Sequence, residues 1–180
     1  IGMEMAEALT DLWGVETTLV EMTDQLLPVA FGKDMALLMK NHMEEKEVRV
    51  LLSERVTGIF GDPEKGVAAV ETTNGKIPCD MVIISAGVRP NSKLAKDAGL
   101  AVGMYGGIRV DNCLRTSDAD IYAGGDCVEL INQVSGEFMP MPLGSLANRQ
   151  GRVIGTNLNG GCKHFNGTVG SFCLKVFDLG

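Results

Sequence analysis

Histidine is scarce in this sequence, with two in 180 residues, and aromatic side chains make up only 5%. His42 and His164 cannot build a histidine-rich metal centre. Cys162 beside His164 offers two ligands where a structural zinc takes four, so no metal site is expected. The five cysteines (Cys79, Cys113, Cys127, Cys162, Cys173) are odd in number and show no C-x-x-C spacing, which excludes a disulfide framework and a thioredoxin-like motif. Apolar runs are short. The longest, around Met81–Ser85, falls far below the roughly 18 residues of a membrane span. Basic residues are the minority: 16 Lys and Arg face 23 Asp and Glu, for a net charge of -7. Such a surface repels phosphate backbones, so nucleic acid is not an expected partner. The opening I-G-M-E-M-A-E lacks the basic stretch of a secretory signal. With reduced thiols, that points to the cytoplasm.

What is present is ordinary for a globular chain, with 45% hydrophobic and 22% charged residues. This length fits one domain or pieces of two. It can bury roughly 70% of its unfolded surface. Ile1 to Trp13 reads as a helix ended by Gly14, and Thr17 to Glu21 as a buried strand. Lys33 to Glu47 reads as a second helix. Val48 to Val56, Gly58 to Phe60 and Val67 to Thr72 read as short strands, with Asn74-Gly75 as a hairpin signal. Met81 to Ser85 reads as a buried strand. Beyond Pro90, Asn91 to Ala98 is a short helix, Gly107 to Val110 and Ile121 to Ala123 are strands, and Leu143 to Leu158 is a long helix. Ser171 to Gly180 reads as a strand just entered. Both termini read as cuts through a larger protein.

This order predicts an α/β class: a nucleotide-binding domain with an inserted β-meander. Two stretches carry chemistry. Ile1-Gly2 before a helix fits the last positions of G-x-G-x-x-G. Glu21 ends the next strand about 20 residues on, where an acid binds ribose hydroxyls of a dinucleotide. No Arg follows in Met22–Leu27 to take a 2′-phosphate, so such a site prefers NAD(H). Glu21 also reads as a solvated charge at a strand end. The second stretch, Thr116 to Asp126, runs T-S-D-A-D-I-Y-A-G-G-D. Its glycines let backbone approach a ligand, and Asp126 stands at a strand's carboxyl end, the ligand edge of an open sheet.

This string resembles the second flavin-binding motif of the FAD-dependent pyridine nucleotide-disulfide oxidoreductases. By that resemblance, Asp126 bonds the ribitol of FAD. Ile1-Gly2-Met3-Glu4-Met5-Ala6-Glu7 resembles the end of the family's NADH fingerprint, with Glu4 near the carboxamide. Ser85-Ala86-Gly87-Val88-Arg89-Pro90-Asn91 resembles the turn closing the NADH domain, with Gly87 beside the dinucleotide. Pro142-Leu143-Gly144 and the helix through Arg152 resemble the segment that meets the flavin pyrimidine edge. A helix start there presents free N–H groups and about half a positive charge. Arg149 and Arg152, further along, read as solvated charges. The matches point to the branch of coenzyme A-disulfide reductases, NADH oxidases, NADH peroxidases and persulfide reductases.

The resemblance implies a Rossmann-like FAD/NAD(P)-binding fold in three ββα layers with a β-meander, here incomplete. It divides the chain into a partial NADH domain (1–91), a returning FAD-domain segment (92–157) and the start of a dimerisation domain (158–180). The family's first FAD fingerprint and its redox cysteine have no counterpart here, so no catalytic residue is expected. Cys127 reads as a small residue at a strand-to-helix junction. The parent is expected to pass hydride from NADH to FAD and on to a thiol, disulfide, persulfide or peroxide. The piece alone is expected to be inactive, and to complete its packing as a homo-oligomer. The alternative is a catalytically inactive nucleotide-binding or structural module.

Overall fold

Helix-forming Met, Ala and Glu after Ile1 wind into α1 (Gly2–Glu7), which widens into a π-helical turn over Ala8–Leu12. Gly14, at φ +60°, ends it. A computed structural model describes residues 1–171 and 173–180. Two compact units form: Ile1–Ala86 with Cys173–Gly180, and the stretch between them.

In the first unit, β1 (Thr18–Val20) leads through α2 (Lys33–Glu45) to β2 (Arg49–Leu51). The two strands pair in parallel, Leu19 opposite Val50, as a helical crossover permits. Ala36, Met39 and Met43 recur at helical spacing and are buried. The end of α2 is a Schellman motif. Val48 donates to the Met43 carbonyl at 3.0 Å and Glu47 to that of Glu44 at 3.1 Å. Glu47 takes the left-handed conformation, φ +67°, where glycine is usual. Met43 and Val48 are fully buried together, the apolar contact that goes with this cap. They join Met3, Leu26, Val50, Val176 and Phe177 in one core.

Three antiparallel strands follow: β3 (Val56–Asp62), β4 (Gly66–Thr72) and β5 (Gly75–Pro78). The sequence predicts a meander from Val48–Val56, Gly58–Phe60 and Val67–Thr72. Instead Arg49–Leu51 pairs with β1, and Gly75–Pro78, beyond a turn at Thr73–Asn74 one residue before the expected pair, supplies the third strand. Gly61 is obligatory, because a Cβ there would lie 2.3 Å from the Gly66 carbonyl oxygen.

Three expected strands do not form. Met81 to Ser85 pairs with no strand among the described residues, and Met81, Ile83 and Ile84 are exposed. An extended run becomes a strand only where a neighbour takes its backbone groups. Ile121 to Ala123 makes a single bridge, Arg115 to Tyr122. Its approach is claimed by side chains: Thr116 Oγ1 accepts from Asp118 N–H and Asp118 Oδ1 from Asp120 N–H. Ser171 to Gly180 is not extended either. Val176 and Leu179 bond each other across a turn at Phe177–Asp178, which buries Val176 and Phe177. Phe172, within that expected strand, lies outside the described residues.

The second unit holds α3 (Lys93–Asp97), β6 (Ile108–Arg109), β7 (Val128–Ile131), β8 (Phe138–Pro140) and α4 (Gly144–Leu158). β7 is central, parallel to β6 and antiparallel to β8. Val128, Leu130 and Leu146 share a core with Ile108, Leu114 and Phe165. Each such leucine contributes about 1.5–3 kcal/mol on burial. Glu129, also fully buried, accepts the N–H groups of Tyr105 (2.8 Å) and Gly107 (3.1 Å), with Arg109 at 3.5 Å. It anchors the loop that wraps round it. No helix of the described residues is long and apolar enough to cross a membrane.

Candidate functional site

In the second unit, the turn Gly124-Gly125-Asp126 packs on α4. A Cβ at Gly124 would lie 2.9 Å from Ile154 Cδ1, and one at Gly125 would lie 3.9 Å from the Ala147 Cβ. Gly125 is left-handed at φ +87°, so both glycines are needed, one for space and one for conformation. Gln150 Oε1 accepts the Gly125 N–H at 2.7 Å. Its Nε2 is buried and has no partner among the described residues. Cys127 Sγ lies 3.4 Å from the Gly124 carbonyl, a local contact of a half-buried thiol.

Asp126 is exposed, and its carboxylate makes no hydrogen bond or ion pair among the described residues. α4 begins with Leu143 as its N-cap and Pro142 just before it. No side chain caps this end and its first turn has no acid. Leu146 and Ala147 donate to the Leu143 carbonyl, whereas the N–H groups of Gly144 and Ser145 meet no acceptor among the described residues. Helix starts leave such donors open, and the helix dipole adds positive potential. The unit thus sets a free carboxylate acceptor on a glycine turn that packs against Ala147, Gln150 and Ile154 of a helix with an uncapped start. That donor set fits a ligand with hydroxyls and an electron-rich carbonyl edge, as a flavin with its ribitol has.

In the first unit, Ile1 is the N-cap of α1. Gly2 lies so close to Ser85 that a Cβ would come within 3.2 Å of the serine's Cβ. Glu4 stands exposed in the first turn of α1. Glu21 follows β1 and is half-buried. Its Oε1 accepts the N–H and the hydroxyl of Thr23, at 2.8 and 2.9 Å, which fixes the carboxylate and leaves Oε2 to accept more. Lys33 is tied to Asp24 at 2.7 Å. The hydrogen bond and charge of that pair lower the Asp24 carboxyl and raise the Lys33 ammonium.

Ile1, Gly2, Glu4 and Glu21 therefore share the first unit, and Gly87, Asp126, Pro142, Leu143 and Gly144 the second. Gly87 stands at φ +91°, a conformation that favours glycine. Sequence reasoning missed Gln150, Thr23 and Asp24. Gln150 carried one signal, the i, i+4 spacing from Leu146 that puts it on the buried face.

The sequence matches the pyridine nucleotide-disulphide oxidoreductase family over residues 1–142. The chain belongs to this family. Among its relatives, an NADH oxidase of Methanocaldococcus jannaschii is 39% identical over 179 residues, covering 99% of this chain and 39% of the relative. An NAD(P)H coenzyme A polysulfide/persulfide reductase of Pyrococcus horikoshii is 32% identical over the same length, with the same coverage. An FAD-dependent pyridine nucleotide-disulphide oxidoreductase from Desulfovibrio vulgaris superposes with a TM-score of 0.93 at 47% identity, over 98% of this chain and 44% of that one. This chain spans about two-fifths of the length of those curated relatives. Its α/β fold is the Rossmann-type dinucleotide-binding fold of its structural neighbours, with a β-meander inserted.

Proposed function

We propose that this chain belongs to an oxidoreductase that passes hydride from NADH to FAD and electrons on to a disulfide, persulfide or peroxide. Its residues supply the dinucleotide positions. Bound FAD supplies the two-electron chemistry. Asp126 accepts hydroxyl protons of the ribitol. The open N–H groups at Gly144 and Ser145, with Pro142 and Leu143 beside them, receive the electron-rich pyrimidine edge and favour negative charge there. Ile1, Gly2 and Glu4 in the first unit, and Gly87 in the second, are assigned to NADH by their resemblance to the family's NADH motifs. Glu21, held by Thr23, accepts its ribose hydroxyls. The Glu21 carboxylate repels a 2′-phosphate, and no Arg follows in residues 22–27 to take one, which favours NADH over NADPH.

The domain division 1–91, 92–157 and 158–180, a homo-oligomeric state, a cytoplasmic location and no affinity for nucleic acid are parts of the same proposal. The observation that carries it is the free Asp126 carboxylate on a glycine turn that Gln150 ties to the uncapped helix α4. The test is quenching of flavin fluorescence on titrating FAD with the chain. Saturable quenching is expected, weakened at least tenfold in Asp126→Ala. Equal affinity in both proteins, or no saturable quenching, overturns the assignment of Asp126.

A further inference from the structure

We propose that a basic pocket in the second unit binds the phosphate group of a small anion, through residues other than those assigned to FAD or NADH. Charge along the chain is segregated. Between Glu137 and Asp178 there is no acidic residue, so that stretch holds four of the 16 Lys and Arg and none of the 23 acids. In an acidic protein, this is where an anion meets least repulsion.

The fold gathers three of those four cations, with a histidine, around one open pocket of about 380 Å³. Arg149, Arg152, Lys163 and His164 line it, with Gln133 and Phe165. Arg149 and Arg152 stand one turn apart on α4, so their side chains share a face. Lys163 is brought alongside by Asn157. That side chain accepts the Lys163 N–H at 2.7 Å and donates to the Lys163 carbonyl at 2.9 Å. Phe165 is buried and anchored by its N–H to the Asn112 carbonyl at 2.7 Å. Gln133 Nε2 bonds the Asn166 carbonyl at 3.0 Å. The backbone that carries Lys163, Phe165 and Asn166 is therefore set before a ligand arrives, which lowers the ordering cost of binding.

None of the four basic side chains has an acidic partner among the described residues. Arg149 rests over the Phe165 ring, its Cζ 5.7 Å from the centroid, a contact that orients a guanidinium and leaves its N–H fork open. His164 Nε2 lies 3.8 Å from Cys162 Sγ. A single carboxylate is satisfied by one guanidinium. Several cationic donors around one pocket suit a group with acceptor oxygens on every side, which is a phosphate. The volume suits a small molecule rather than a polymer.

The test is calorimetric titration of the chain at low salt with inorganic pyrophosphate and, separately, with ADP. Pyrophosphate is expected to bind once per chain, to weaken at least tenfold in R149Q/R152Q, and to weaken as salt is raised. The variant should keep the thermal unfolding of the parent. K163Q, a change in an exposed loop, should weaken binding at least threefold and serves if the double variant does not fold. D126A should leave this binding unchanged. In the component lost with R149Q/R152Q, tighter ADP than pyrophosphate assigns the phosphate to a nucleotide, and the reverse assigns it to free polyphosphate. No saturable pyrophosphate binding, or binding that survives R149Q/R152Q, or binding that falls with D126A, overturns the proposal.

Discussion

Gln150 Oε1 accepts the backbone N–H of Gly125 at 2.7 Å, joining the middle of α4 to a turn 25 residues earlier. Leucine keeps most of the volume and removes the acceptor. Gln150→Leu is expected to cost about 1–3 kcal/mol, the penalty for an unpaired donor. Thermal unfolding reads this as a Tm lower by a few degrees, and an unchanged Tm would mean that solvent serves the Gly125 N–H equally well.

Glu129 anchors the 103–107 loop from inside the core, where a Cβ at Gly103 would overlap its carboxylate at 1.9 Å. Glu129→Leu leaves two backbone donors without their acceptor and is expected to cost about 3 kcal/mol. Glu129→Gln keeps one carbonyl oxygen and should cost less. Denaturant titration separates the two, and equal losses would show that the oxygens do not hold the loop.

Glu47 occupies a left-handed cap at φ +67°. Glycine carries no Cβ penalty there and loses more entropy on folding. Glu47→Gly is expected to stabilise the first unit by about 0.5–1 kcal/mol. The check is the denaturant midpoint, which should rise at constant slope. A fall would mean that the Glu47 side chain contributes more than its backbone strain costs.

Glu21 is the residue on which cofactor preference turns in the proposed function. Glu21→Ala is expected to weaken NADH binding about tenfold or more, as loss of charge-assisted hydrogen bonds does. NADPH binding should change little, so the preference narrows. Fluorescence titration with both nucleotides gives the answer, and an equal loss for both would remove Glu21 from the ribose.

Asp178 joins the end of the chain to α2, 2.8 Å from His42 Nε2 and 3.0 Å from Lys46 Nζ. The Lys46 ammonium, its own backbone N–H and the His42 ring hold the Asp178 carboxyl at about 2, below its ordinary 3.8. A carboxyl lowered on folding stabilises above its unfolded value and loses that contribution as pH falls from about 4 through 2. Because Asp178 is exposed, the effect is small. The Tm difference between the native chain and Asp178→Asn should shrink over that range. A difference constant with pH would show that the charge plays no part.

The helices and the first two strands of the meander were legible because their signals are local. α2 spaces Ala36, Met39 and Met43 on one face, and the meander has glycines at its tight points. Strands with distant partners were read unevenly: Thr18–Val20 and Ile108–Arg109 form where expected, and others do not. Met81 to Ser85 has the residues of a strand and no ladder, whereas Val128–Ile131 hides its burial behind Glu129, an acid that suggests a surface. In the candidate site, Asp126 and the Gly144 end of α4 stood out as motif residues. Gln150 did not, because a glutamine in a helix looks solvated until the fold brings Gly125 to it.

Val176 and Phe177, in the last eight residues, fill the same core as Met3, Met39 and Met43 near the beginning. A ribosome delivers these pieces in order. Residues 1–86 cannot complete this core until residues 173–180, which follow the second unit, have been made. During that interval, the nascent chain exposes a surface of the kind chaperones hold. The second unit, continuous in sequence, can close on itself first.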